Sequence, residues 1–137
     1  MVILGNVPKK HLRAIDYFAD CIFTPQKSKH LTIEVKYKNL DTQGEVYVED
    51  YNKRGVPNHF VILVKRSDSE KEKLITIAHE LVHVKQYCLG ELNEEGTHWL
   101  GEYVNAEELE YEELPWEIEA WDVGEYLYQQ YVESNTG

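Results

Sequence analysis

Apolar and polar positions alternate along this chain with two different periods, and the periods divide it into elements. After Pro8, Leu12, Ile15, Phe18, Ala19 and Ile22 recur every three or four residues, the signature of an amphipathic helix; Pro25 argues against its continuing. From Leu31 to Tyr37 apolar and polar residues alternate strictly, which predicts a half-buried strand. Asp41 to Gly44 reads as a turn, Glu45 to Tyr51 as a second strand, and Asn52 to Asn58, with Gly55 and Pro57, as a loop. His59 to Lys65 is rich in β-branched residues and predicts a third strand.

Ser67-Asp68-Ser69-Glu70 carries a serine three residues before a glutamate, a capping box ahead of an apolar run. Residues 70–89 hold no Pro or Gly, and Gly90 stands where a helix would stop, so a long helix is predicted there. Residues 91–114 are irregular, acidic and aromatic, and suit a loop or short hairpin. Pro115 is placed to open a last helix over about 115–131. The expected fold is one α+β domain spanning 1–137.

Composition adds constraints. The chain has 137 residues, 42% hydrophobic and 28% charged, which suits a folded globular domain. Its net charge of −11 is uneven: residues 1–73 sum to +3 and residues 74–137 to −14, with Lys85 the only basic side chain in the second part. That balance opposes phosphate-backbone binding, so nucleic acid is disfavoured as a partner, whereas a divalent metal or a basic peptide is compatible. Cys21 and Cys88 show no metal or disulfide spacing and read as free thiols. No stretch approaches the length of an apolar membrane span and no signal segment is evident, so the expectation is a cytoplasmic protein.

The chemistry sits on the long helix, in Ile77-Ala78-His79-Glu80-Leu81-Val82-His83-Val84. Four residues turn a helix through roughly 400°, so His79 and His83 lie on one face, one turn apart. This spacing lets two imidazoles converge on one zinc ion, with Glu80 on the adjoining flank as a general base rather than a ligand. Leu74, Ile77, Ala78, Leu81 and Val84 form an apolar face that would bury the helix.

A catalytic zinc needs a third protein ligand. The candidates Glu117 and Glu119 lie roughly 200° apart on the last helix, so only one can face the metal. Glu117 shares its face with Ala120, Trp121, Gly124, Tyr128 and Tyr131, small and aromatic residues suited to packing. Glu119 shares its face with Asp122, Tyr126, Gln129, Gln130 and Glu133, which read as solvated. A carboxylate on a buried face is costly unless it meets a cation, so Glu117 is the expected ligand and Glu119 the reserve.

These motifs resemble the Glu-ligand zincins. Ile77 to Gln86 together with Pro115 to Trp121 resembles small SprT-like, phage-associated metallopeptidases, closely over 74–121 and more loosely over the N-terminal strands. The resemblance implies a zincin-like fold, a small and mostly antiparallel sheet packed on the HExxH helix. It also implies zinc-dependent hydrolysis of a protein or peptide substrate. Two positions depart from the pattern. A third histidine ligand could come only from His98, and the Asp or Asn that many such proteins carry four residues after the Glu is Trp121 here. His98, Tyr103 and Tyr111 are candidates to stabilise an oxyanion, and strand 59–65 is the expected edge for a substrate strand. The competing expectation is a zincin-fold module that binds metal or a partner without turnover, in which His98 would complete a closed four-ligand site.

Overall fold

A computed structural model describes residues 1–136. Strands β1 (Val2–Leu4), β2 (Thr32–Lys38), β3 (Gly44–Tyr51) and β4 (Pro57–Lys65) form a four-stranded sheet in the order β1-β2-β4-β3. Helices α1 (Lys9–Ile22), α2 (Pro25–Ser28), α3 (Glu70–Cys88) and α4 (Pro115–Thr136) complete the fold, with a two-stranded hairpin of β5 (His98–Trp99) and β6 (Glu102–Tyr103) and two 3-10 turns at Ala106–Glu108 and Tyr111–Glu113. The architecture is α+β.

The sheet is mixed rather than mostly antiparallel. β1 pairs with β2 and β2 with β4 in parallel, and only β3 pairs antiparallel to β4. Two causes act. β1, which is too short to register as a period in the sequence, is joined to β2 through α1 and α2, and such a helical crossover returns the chain in the same direction. β4 then inserts between β2 and β3. The five residues linking β2 to β3 need only step over one strand, about 10 Å, well within the reach of five residues. The strand expected at the sheet edge is therefore central, and β1 and β3 are the edges.

Alternate residues of the strands carry the core. Ile33 and Val35 of β2 and Phe60, Ile62 and Val64 of β4 are buried with Ala14, Ile15 and Phe18 of α1 and with Ile77, Ala78, Leu81, Val82 and Val84 of α3. α4 adds Ala120, Leu127 and Tyr131. The middle of α3 is buried on every side, since Thr76, His79, Glu80, His83 and Gln86 are buried as well. A helix buried all round sits between layers, and α3 here meets β4, α1 and α4.

α3 begins one serine later than the sequence pattern suggests. Ser69, not Ser67, is the N-cap; its Oγ accepts from the amide of Glu72 at 3.2 Å and lies 3.1 Å from the Glu72 carboxylate. Ser-x-x-Glu occurs twice in register, and the second copy is the one used. Gly90 follows the helix at φ +71°, as a stop signal requires. Glu70, in the first turn, accepts from the buried His11 at 2.7 Å, and the other ring nitrogen of His11 meets the Tyr37 hydroxyl at 2.6 Å. α1, β2 and the start of α3 are thereby tied together.

α4 lies close against α3 at Gly124. A Cβ there would lie 3.1 Å from both the amide nitrogen and the Cα of His79. Both are backbone atoms and cannot swing aside. Gly124→Val is therefore expected to lower the unfolding free energy by ~1–3 kcal/mol, read by urea denaturation; wild-type stability would mean that the helices part without cost. The Glu70–His11 pair gives a pH signature. Its hydrogen bond to His11 holds the Glu70 carboxyl below its usual value, with burial opposing. The contribution is present above the unfolded carboxyl pKa and is lost as pH falls through the lower folded value. The stability deficit of Glu70→Gln should therefore be seen at neutral pH and shrink in acid. A deficit unchanged down to the acid limit would mean that the carboxylate charge is not the cause.

Candidate metal centre

His79, Glu80 and His83 lie together, buried, in the middle of α3, and their donor atoms fall within 4.8 Å of one another. α4 brings Glu117 to the same point. Glu117 Oε1 is 3.1 Å from His79 Nε2 and 3.2 Å from His83 Nε2, and the two imidazole nitrogens are 3.2 Å apart. Three donor atoms thus form a nearly equilateral triangle. Tetrahedral coordination at metal–ligand bonds of about 2.0–2.1 Å places ligand atoms about 3.3 Å apart. The donor set, two imidazoles and one carboxylate, suits zinc and its first-row neighbours. These residues could hold a divalent metal.

The charges fit the same description. Burial drives the Glu117 carboxyl upward, but hydrogen bonds from His79, His83 and Tyr111 outweigh it and hold the group far below the usual carboxylate range. Burial lowers His79, with the charge of His83 adding to it. Burial acts on His83 in the same direction, but its bond to Glu117 and the carboxylates around it leave it raised. Two imidazoles this close cannot both be cationic, so the triangle offers one anionic oxygen and room for one positive charge.

Each first contact is itself held. His83 Nδ1 lies 2.7 Å from Gln86 Oε1, and Gln86, fully buried, donates from Nε2 to the Trp116 carbonyl at 3.0 Å and to Glu119 at 3.1 Å. Glu119 also accepts from Lys85 at 3.1 Å. It is half-buried and paired rather than solvated as its helical face suggests, because Lys85 of α3 reaches across to it. Nothing in the periodicity of either helix announces Gln86. A polar residue on a turn below His83, in a helix with no solvent face, was the available signal. His79 is held differently: Trp121 lies against its ring at a centroid distance of 4.4 Å, and His79 Nδ1 has no hydrogen-bond partner.

Glu80 stands apart from the triangle. Its Oε1 is 3.9 Å from His79 Nε2, and Oε2 is buried without a partner. Burial pushes its carboxyl up to about 7, with the negative charges of Glu117 and Glu45 adding and His83 opposing. It faces a cavity of about 490 Å³ walled on one side by Thr42 to Val46, at the start of β3, and on the other by Tyr111, Trp116 and Trp121. Gly44 lets that wall close in: a Cβ there would meet the Thr76 side chain at 2.3 Å and the Leu63 carbonyl at 2.9 Å.

Of the three candidate oxyanion donors, one is brought to the site. Tyr111 donates to Glu117 Oε1 at 2.7 Å, and burial together with that bond raises its hydroxyl well above the ordinary value. Tyr103 is exposed on β6, and His98 is exposed on β5, where it contacts Asn93 and Thr97. Neither lines the cavity. His98 is therefore neither a third nor a fourth partner of the triangle. β4, central in the sheet, has no free edge for a substrate strand; β3, whose first residues line the cavity, has one.

Comparison with protein families, curated proteins and solved structures finds no match for this chain.

The orientation of His83 by Gln86 can be measured. Partners that fix a ligating histidine typically contribute about 10–100-fold to metal affinity. Gln86→Leu is expected to weaken divalent-metal binding to that extent in competition with a chromophoric chelator. Unchanged affinity in a folded variant would mean that Gln86 serves the helix contact alone.

Proposed function

We propose that this chain is a zinc-dependent metallopeptidase of the zincin type, with His79, His83 and Glu117 as zinc ligands and Glu80 as the general base. The observation that carries this reading is the position of Glu80: outside the ligand triangle, buried, with one oxygen unpartnered, on a side chain that lines the cavity. A purely structural site has no use for such a group. A closed four-ligand site would also need a fourth protein donor, and His98 is turned away in the hairpin.

Zinc bound by this triad would supply Lewis acidity and make water acidic near neutral pH. The protein's own groups do the rest. Glu80, poised near neutrality by burial, takes a proton from water in the cavity and passes it to the leaving amine. Tyr111, an O–H donor beside Glu117, is positioned to donate to a developing oxyanion once substrate displaces that contact. A peptide lying along the free edge of β3 would pair with backbone groups there, bringing its carbonyl into the cavity. The acidic second half of the chain favours a basic peptide. Among the described residues no helix is long and apolar enough to cross a membrane.

The deciding experiment pairs metal analysis with Glu80→Gln. The expected result is one zinc per chain in both proteins, with peptide hydrolysis reduced by about 10²–10⁴-fold in the variant. Zinc retained with hydrolysis unaffected would remove Glu80 from the chemistry. Zinc bound with no hydrolysis by the wild type, across basic and neutral peptides, would favour the non-catalytic module.

A further inference from the structure

A second cavity, of about 800 Å³, opens beside Cys88, the last residue of α3. α2 and the turn that joins β3 to β4 form its walls. Its lining holds Lys27, Lys53 and Arg54 together with His30, and no Asp or Glu. Residues 1–73, which carry all four, sum to only +3, so the lining is a local segregation of charge. Among the described residues none of these four is in an ion pair. Like charges gathered round one hollow without counter-charges repel one another, and a bound anion would relieve that repulsion.

The backbone beneath these side chains is preset. Asn52 Oδ1 accepts from the amides of Arg54 at 2.8 Å and Val56 at 3.0 Å, and Asn52 N donates to the Val56 carbonyl at 2.9 Å. Gly55, at φ +78°, completes this turn. On the facing wall Thr24 caps α2 by accepting from the Lys27 amide at 3.2 Å. The floor is apolar, with Leu31 and Cys88 buried. The carbonyl end of α3 contributes only about half a negative charge there, which Lys27, Lys53 and Arg54 outweigh.

We propose that this cavity binds a small phosphorylated ligand, of the size and charge of a nucleoside di- or triphosphate. A compact group bearing several negative charges matches three fixed cations, and the forked guanidinium of Arg54 suits phosphate oxygens. The volume lies within the range of small-molecule sites. The site shares no lining residue with the metal cleft, so the assignment is independent of the peptidase reading.

Titration of the isotopically labelled full chain with ATP and with tripolyphosphate, followed by amide NMR, tests it. The expected result is saturable shifts at residues 24–31 and 52–58 in the low-millimolar range or below, weakened by added salt. Both substituted side chains of Lys53→Ser/Arg54→Ser are exposed, so the double variant should stay folded while its affinity falls about 10-fold or more. Absence of shifts, shifts confined to residues 79–117, or equal affinity in the variant would each overturn the proposal. So would a short single-stranded oligonucleotide that binds more tightly than ATP.

Discussion

The close crossing of α3 and α4 is the constraint on which the rest of this structure depends. Neither helix alone carries a complete set of donors. His79 and His83 come from one and Glu117 from the other, and they meet only because Gly124 lets α4 lie directly on the backbone of His79. A carboxylate side chain is short, so an outward shift of about 1 Å would leave Glu117 facing its histidines across a gap, with the Tyr111 hydroxyl alone to compensate its buried charge. The contacts around the triangle serve that crossing. Gln86 joins α3 to the first turn of α4 through the Trp116 carbonyl and Glu119, and Lys85 adds an ion pair at the same level.

Much of this was legible in the residues. The helix of 70–88 announced itself through an unbroken run between a serine cap and Gly90, and the wheel of the last helix separated Glu117 from Glu119 because small residues cluster on one side. Tertiary choices were hidden. Whether Ser67 or Ser69 caps the helix depends on how the chain leaves β4. The exchange of neighbours that puts β4 between β2 and β3 shows only as an apolar run unbroken from Phe60 to Val64, the pattern of an inner strand, where β3 alternates. β1, three residues long, exists because β2 offers it a partner. Glu119 looked solvated because the helical wheel sees only its own helix, and Lys85 belongs to another.

The cleft divides its labour between sheet and helices. The strand side supplies backbone and small residues, Gly44 above all, while the helical side supplies Tyr111, Trp116 and Trp121. Of the chain's ten Tyr and three Trp, these serve as a cleft wall. Trp121 has a double part: it lies against His79 and also borders the cavity, so the same ring bears on a proposed ligand and on whatever enters.

α3 has no solvent-facing stripe through its middle, and this ties the fate of any bound ion to that of the whole domain. Its central amides can open only when the core opens, so a local excursion that would release the donors one at a time is not available. An ion held by both helices would be absent from the unfolded chain, and by mass action would add ~4 kcal/mol of stability at a free concentration a thousandfold above its dissociation constant. For a domain of this size that is a large share of the total. Metal supply would then act on how long the protein lasts as well as on what it does.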